Sequence, residues 1–157
     1  MRKFTKYPVF STTDIDPEQF DKYQMHQISE GLKSGVDVSV YADPKFDWVQ
    51  RKQIRLGLES GVDVSVYANP VFDDDQMAQI RKGLESGVDV SAYADPKFDW
   101  VQMKQIRLGL ESGVDVSVYA DPEFDWKQMK EFRLDLEQRK ASGRRGGVKK
   151  AKRGNGR

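Results

Sequence analysis

Apolar positions recur along this chain on a helical period, in short segments separated by strong stop signals. Met77, Ile80 and Leu84 stand at i, i+3 and i+7, a single stripe that predicts an amphipathic helix of about three turns. Immediately before such stripes lies Asp-x-x-Gln, at 21–24, 47–50, 73–76, 99–102 and 125–128. That spacing predicts a capping box, with aspartate at the N-cap and glutamine at N3. The phenylalanine ahead of it (Phe20, Phe72, Phe98, Phe124) is placed to staple onto the N4 methionine (Met25, Met77, Met103, Met129). One copy breaks the staple, where Phe46 faces Arg51. Each long helix is expected to stop at a pair such as Ser60-Gly61, glycine supplying the left-handed C′ position and Val62 the apolar residue after it. Asp63 then caps a second, very short helix over 64–68, which Asn69-Pro70 ends. So short a helix does not persist alone, and packing through Val64, Tyr67 and Ala68 is expected to hold it.

These signals repeat every 26 residues. Gly-Val-Asp-Val-Ser occurs at 35–39, 61–65, 87–91 and 113–117, and residues 35–60 match 87–112 except at Val40/Ala92 and Arg51/Met103. Residues 9–34 form a degenerate first copy, which makes five repeats in all. The expected fold is all-α, an α-solenoid of five repeats that each pair a long helix with a short one. Residues 1–19 serve as a lead-in and cap, 20–138 as the array, and 139–157 as a basic, disordered tail. Gly31, Gly57, Gly83 and Gly109 fall inside the long helices, where glycine costs about 1 kcal/mol relative to alanine. Close approach by a neighbouring helix is the expected reason for keeping them. In the fifth repeat that position is Asp135 and the Ser-Gly stop has become Gln138-Arg139, as suits a terminal repeat with a polar outer face.

The repeat string, Gly-Val-Asp-Val-Ser-x-Tyr-Ala-Asp-Pro-x-Phe-Asp-x-x-Gln-Met-x-x-Ile-Arg-x-Gly-Leu-Glu-Ser, resembles a repeat of uncharacterised proteins from bacterial mobile elements. The resemblance covers about residues 20–138. It implies no activity, cofactor or catalytic residue.

Composition sharpens this picture in three ways. The 157-residue chain is 38% hydrophobic with a mean hydropathy of −0.73, low for a compact globule but natural for thin stacked layers. Its net charge of +1 conceals two different materials, because residues 139–157 hold nine Lys/Arg and no acid while residues 1–138 carry a net charge of −8. There is no cysteine, so disulfides and thiolate metal sites are excluded. No run approaches the ~20 apolar residues needed to span a bilayer, and residues 1–8 lack the apolar core of a secretory leader. A soluble cytoplasmic protein without membrane insertion is expected.

Candidate chemistry is sparse. His26 is the only histidine, and no nucleophile or orienting carboxylate accompanies it in a recognisable motif. The glycines near 143–147 follow no strand and open no helix, so they do not read as a phosphate loop. Asp37, Asp43 and Asp47 offer oxygen donors to a hard cation, but their spacing is not that of an EF-hand and capping explains Asp37 and Asp47 more fully. Neither metal nor cofactor is expected, and no catalytic residue. Tyr23, Trp48, Trp100 and Trp126 share one position in the first helical turn, where the third repeat has Asp74. Two readings stand: rim residues that cover their own loop, or a row of aromatic anchors for a protein partner of unknown identity. The basic residues Arg139, Lys140, Arg144, Arg145, Lys149, Lys150, Lys152, Arg153 and Arg157 read as a solubilising appendage or as electrostatic contacts to nucleic acid. Anionic membrane suits them less, without an apolar face. The expected function is a non-catalytic helical-repeat scaffold for protein interaction, with the tail adding affinity for a polyanion. The alternative is a nucleic-acid-binding protein of a mobile element that acts mainly through the tail.

Overall fold

The structure is a computed structural model that describes residues 17–146. Every regular element among them is helical: α1 (Lys22–Ser34), α2 (Trp48–Ser60), α3 (Asp74–Glu85), α4 (Trp100–Ser112) and α5 (Trp126–Gly146). Each helix from α2 onward is preceded by a single 3₁₀ turn, at Val38–Val40, Val64–Val66, Val90–Ala92 and Val116–Val118, and another lies at Pro17–Gln19. The described residues form two compact bodies, divided between Glu85 and Ser86. The first stacks α1 on α2 and α2 on α3, and the second stacks α4 on α5, so each is an all-α body of consecutively packed repeats.

Local chemistry sets the helix limits. At α2 the Asp47 side chain accepts from the Gln50 backbone N–H at 2.8 Å, and Gln50 accepts from the Asp47 N–H at 3.0 Å, closing the capping box. The equivalent pairs close at Asp21, Asp73, Asp99 and Asp125. At the other end Gly61 adopts φ +81°. Its N–H meets the Leu58 carbonyl and the Val62 N–H meets that of Gly57, both at 3.1 Å, a pattern that satisfies two orphan carbonyls.

The expected second helix is shorter than its pattern suggested. Over 64–68 only Val64–Val66 forms a turn; Val64 and Tyr67 are buried, while Ala68 is only partly so. The Asp63 cap bonds the Ser65 N–H at 3.1 Å, and the turn ends at Tyr67, where φ reaches −131° and leaves the helical region. The Tyr67 ring is fully buried where the turn ends.

The ring explains the interior glycine, whose reason differs from the one expected. The Tyr67 hydroxyl donates to the Gln53 carbonyl at 2.7 Å, and Tyr41 and Tyr119 bond Gln27 and Gln105 in the same way at 2.8 Å. A Cβ on Gly57 would collide with the Tyr67 hydroxyl and approach Val64 Cγ1 to 2.7 Å. The close approach therefore comes from the turn that directly follows the helix, not from the next long helix.

Two recurrent hydrogen bonds join one repeat to the next. The capping glutamine also faces forward, Gln24 Nε2 donating to the Phe46 carbonyl at 2.9 Å and Gln50 Nε2 to that of Phe72 at 2.8 Å. In the second body Gln102 Nε2 reaches the Phe124 carbonyl at 2.7 Å. Toward the helix centres, Arg55 Nε donates back to Gln27 Oε1 at 3.0 Å, Arg81 to Gln53 at 3.1 Å and Arg133 to Gln105 at 3.1 Å. Near their C-terminal ends, α1 and α2 are joined again by Ser34 and Glu59. Bonds at both ends require α1 and α2 to run parallel, so their first turns share one edge.

The positions that would bond a further repeat are altered. Repeat one has Ser29 and Lys33 where the others have the arginine and its glutamate, and repeat five has Glu131 in place of the accepting glutamine. Asp135 is exposed and pairs with Arg139 at 2.9 Å, giving the expected polar outer face.

Without a Ser-Gly stop at 138–139, α5 runs on to Gly146. The expected boundary of the tail at 139 therefore moves, because its first eight residues are helical. No described helix is long and apolar enough to cross a membrane.

Candidate functional site

In the first body the shared edge of first turns carries Tyr23 on α1, Trp48 on α2 and Asp74 on α3. Tyr23 is 53% exposed and Trp48 39%, yet their ring centroids lie 5.6 Å apart at 33°. The two rings thus form one amphipathic ledge. In the second body Trp100 and Trp126 occupy the same turn of α4 and α5, at 41% and 38% exposure. The structure therefore brings Tyr23 and Trp48 together; Trp100 and Trp126 keep the shared register, and among the described residues their rings do not meet.

The aromatic turns are also where the carboxylates concentrate. Carboxylate oxygens of Asp73, Asp74 and Asp75 lie within 4.8 Å of one another, and among the described residues none of the three makes an ion pair. Burial holds the Asp74 carboxyl above its ordinary range, and the charges of Asp75, Asp73 and Asp47 add to that. The other acids considered for a cation are engaged elsewhere. Asp37 caps its turn by accepting from the Ser39 N–H, Asp47 caps α2, and Asp43 pairs with Lys45 at 3.5 Å.

Cations of the chain already sit over some of these rings. Lys22 Nζ lies 5.0 Å from the Tyr23 centroid and Lys127 Nζ 5.7 Å from that of Trp126. Among the described residues no lysine or arginine covers Trp48 or Trp100.

Arg51, identified in the sequence only as a break in the staple, is fully buried. Its Nε donates to the Phe46 carbonyl at 3.0 Å and its Nη2 to that of Asp43 at 2.6 Å, while the guanidinium lies 4.3 Å from the Phe20 centroid. Its ring contact is thus with the preceding repeat and not with Phe46 of its own. Nη1 is buried without a hydrogen-bond partner. Burial lowers its pKa, and the carboxylates of Asp21, Asp43 and Asp47 oppose that fall.

The tail residues divide. Arg139 pairs with Asp135, and Lys140 Nζ donates to the Ser112 carbonyl at 2.7 Å, at the C-terminal end of α4. Arg144 and Arg145 belong to the last turns of α5, while Lys149, Lys150, Lys152, Arg153 and Arg157 lie outside the described residues. His26 is exposed on α1, one turn before Glu30.

No family model matches the chain, and neither does any curated protein or solved structure.

Proposed function

We propose that the protein is a non-catalytic helical-repeat scaffold that docks a protein partner on the edge carrying Tyr23 and Trp48, with Trp100 and Trp126 as the corresponding anchors of the second body. The observation that carries this reading is the paired, exposed Tyr23 and Trp48 rings. Large rigid aromatics lose little conformational entropy on contact and are enriched where binding energy concentrates. The buried polar side chains support the same reading, since Gln50, Gln102 and Gln105 are spent on repeat-to-repeat bonds. The basic tail adds electrostatic affinity for a polyanion. The resemblance of the repeat string suggests a mobile-element setting in the bacterial cytoplasm.

The test is partner capture by the full chain, with and without nuclease. It compares the wild type, the variant Trp48→Ala/Trp100→Ala/Trp126→Ala, and one with Lys149, Lys150, Lys152, Arg153 and Arg157 changed to Gln. A protein partner that survives nuclease and is lost with the tryptophans supports the scaffold. Capture that ignores the tryptophans and disappears with the tail charges supports nucleic acid instead. With Arg139 and Lys140 engaged internally, seven tail charges remain, and a log–log salt slope of about −6 on duplex would then be expected.

A further inference from the structure

The edge of the first body carries more than exposed aromatic surface. Tyr23 covers the α1 side of Trp48, and on the α3 side the equivalent position is Asp74, next to Asp75. Aromatic faces attract cations, and lysines of the chain already occupy this relation at Tyr23 and Trp126. Trp48 has no such companion among the described residues, although Asp47 precedes it in the chain, Asp74 holds the same position on α3, and the Asp47 charge is felt at Asp74. An exposed ring whose neighbouring helix carries, at the same position, a carboxylate without an ion pair among the described residues complements one side chain best. A guanidinium stacks flat on an indole and offers its fork to a carboxylate, which a compact ammonium cannot do equally well.

We infer that the occupant of the Trp48 edge is an extended, arginine-bearing segment of a partner protein, with one guanidinium seated on Trp48 and paired to Asp74. This inference rests on the edge being the docking surface. Packed helices are spaced about 8–10 Å apart. An extended chain advances about 3.3 Å per residue. Arginines three residues apart would therefore advance by about one helix at each step along the edge. Acidic or nucleic-acid ligands are disfavoured here, because the carboxylates repel them.

The experiment titrates the full chain, by tryptophan fluorescence and calorimetry, with a synthetic Ser/Gly peptide carrying arginine at every third position. Matched peptides carry glutamine or glutamate at the same positions. The arginine peptide should bind saturably, and Trp48→Ala and Asp74→Asn should each weaken it by about tenfold, the scale of a central anchor. The glutamine and glutamate peptides should bind at least about tenfold more weakly, since they lack the cation that both contacts require. Circular dichroism of both variants should match that of the wild type, which separates lost contact from lost fold. Equal binding of the glutamine peptide, abolished by Trp48→Ala, would overturn the arginine assignment while leaving the edge a docking surface. Arginine-peptide binding indifferent to both substitutions would overturn it too, by locating the contact elsewhere on the acidic surface. Absence of saturable binding would do the same, while partner capture would still test the edge itself.

Discussion

The hydroxyl of Tyr67 occupies the space that a side chain on Gly57 would fill, and there it donates to the Gln53 carbonyl at 2.7 Å. This pairing links the helix to the turn that follows it. Gly57→Ala improves helix propensity by about 1 kcal/mol but drives a methyl into a ring held by its own hydrogen bond. A net loss of about 1–3 kcal/mol is expected in urea denaturation. Tyr67→Phe alone should cost about 1 kcal/mol. Combined with Gly57→Ala it should cost less than the sum of the two, because the hydroxyl that collides is then absent. Strict additivity would mean that the two positions do not meet.

Arg51 supplies a prediction of opposite sign. The Phe46 carbonyl already accepts from Gln24 Nε2, and the Asp43 carbonyl from the Phe46 N–H at 3.1 Å. Replacing Arg51 by the methionine found at Met77, Met103 and Met129 therefore leaves neither acceptor unsatisfied, and removes a buried cation with an unpaired Nη1. Arg51→Met should raise stability by about 1–3 kcal/mol, as replacing buried charge with packed apolar atoms often does. A lower urea midpoint would show that the guanidinium makes a favourable contact beyond those described.

The four buried tyrosines predict the alkaline limit of the fold. Burial raises the pKa of Tyr41, Tyr67, Tyr93 and Tyr119 well above the ordinary phenol value of about 10. The unfolded chain then ionises first, so their contribution is intact below about pH 10 and is lost as pH rises from there toward the folded values. Phenolate absorbance from these four should appear together with loss of the helical signal. Their ionisation while the helices remain intact would contradict the buried hydrogen-bonded rings.

The extension of α5 carries a separate expectation. Lys140 places its ammonium on the Ser112 carbonyl, where the last carbonyls of α4 favour positive charge. Lys140→Gln should lower stability by about 0.3–1 kcal/mol at low ionic strength, and by less at high salt. Equal midpoints in both salts would show that the contact contributes nothing.

What could be read from the sequence was local. Asp47 and Gln50 act three residues apart and Gly61 acts through its own backbone, so caps and stops were visible as strings. The purpose of Gly57 was not, because its neighbour Tyr67 lies ten residues on and meets it only after the chain has turned back. Gln50 was identified as a cap, while its second bond, to the Phe72 carbonyl, depends on how the next repeat stacks. Arg51 stood out only as a break in the staple facing Phe46, since its contact with Phe20 of the preceding repeat depends on how the repeats pack. The tail boundary was drawn from the change in charge at Arg139, although the missing glycine stop beside it allowed α5 to continue. At the site, register alone aligned Tyr23, Trp48, Trp100 and Trp126, whereas the ring contact between the first two needed the spacing of α1 and α2.

The central claim is that Trp48 serves binding and not the fold, and a paired measurement on Trp48→Ala tests it most directly. The urea midpoint and the affinity for the captured partner would be determined on the same full-length protein. A half-exposed ring beside Tyr23 should cost less than about 1 kcal/mol of stability, while affinity falls at least about tenfold. A stability loss of about 3–5 kcal/mol, the range for emptying a core aromatic site, with affinity unchanged, would contradict the account and make Trp48 a cover for its own loop.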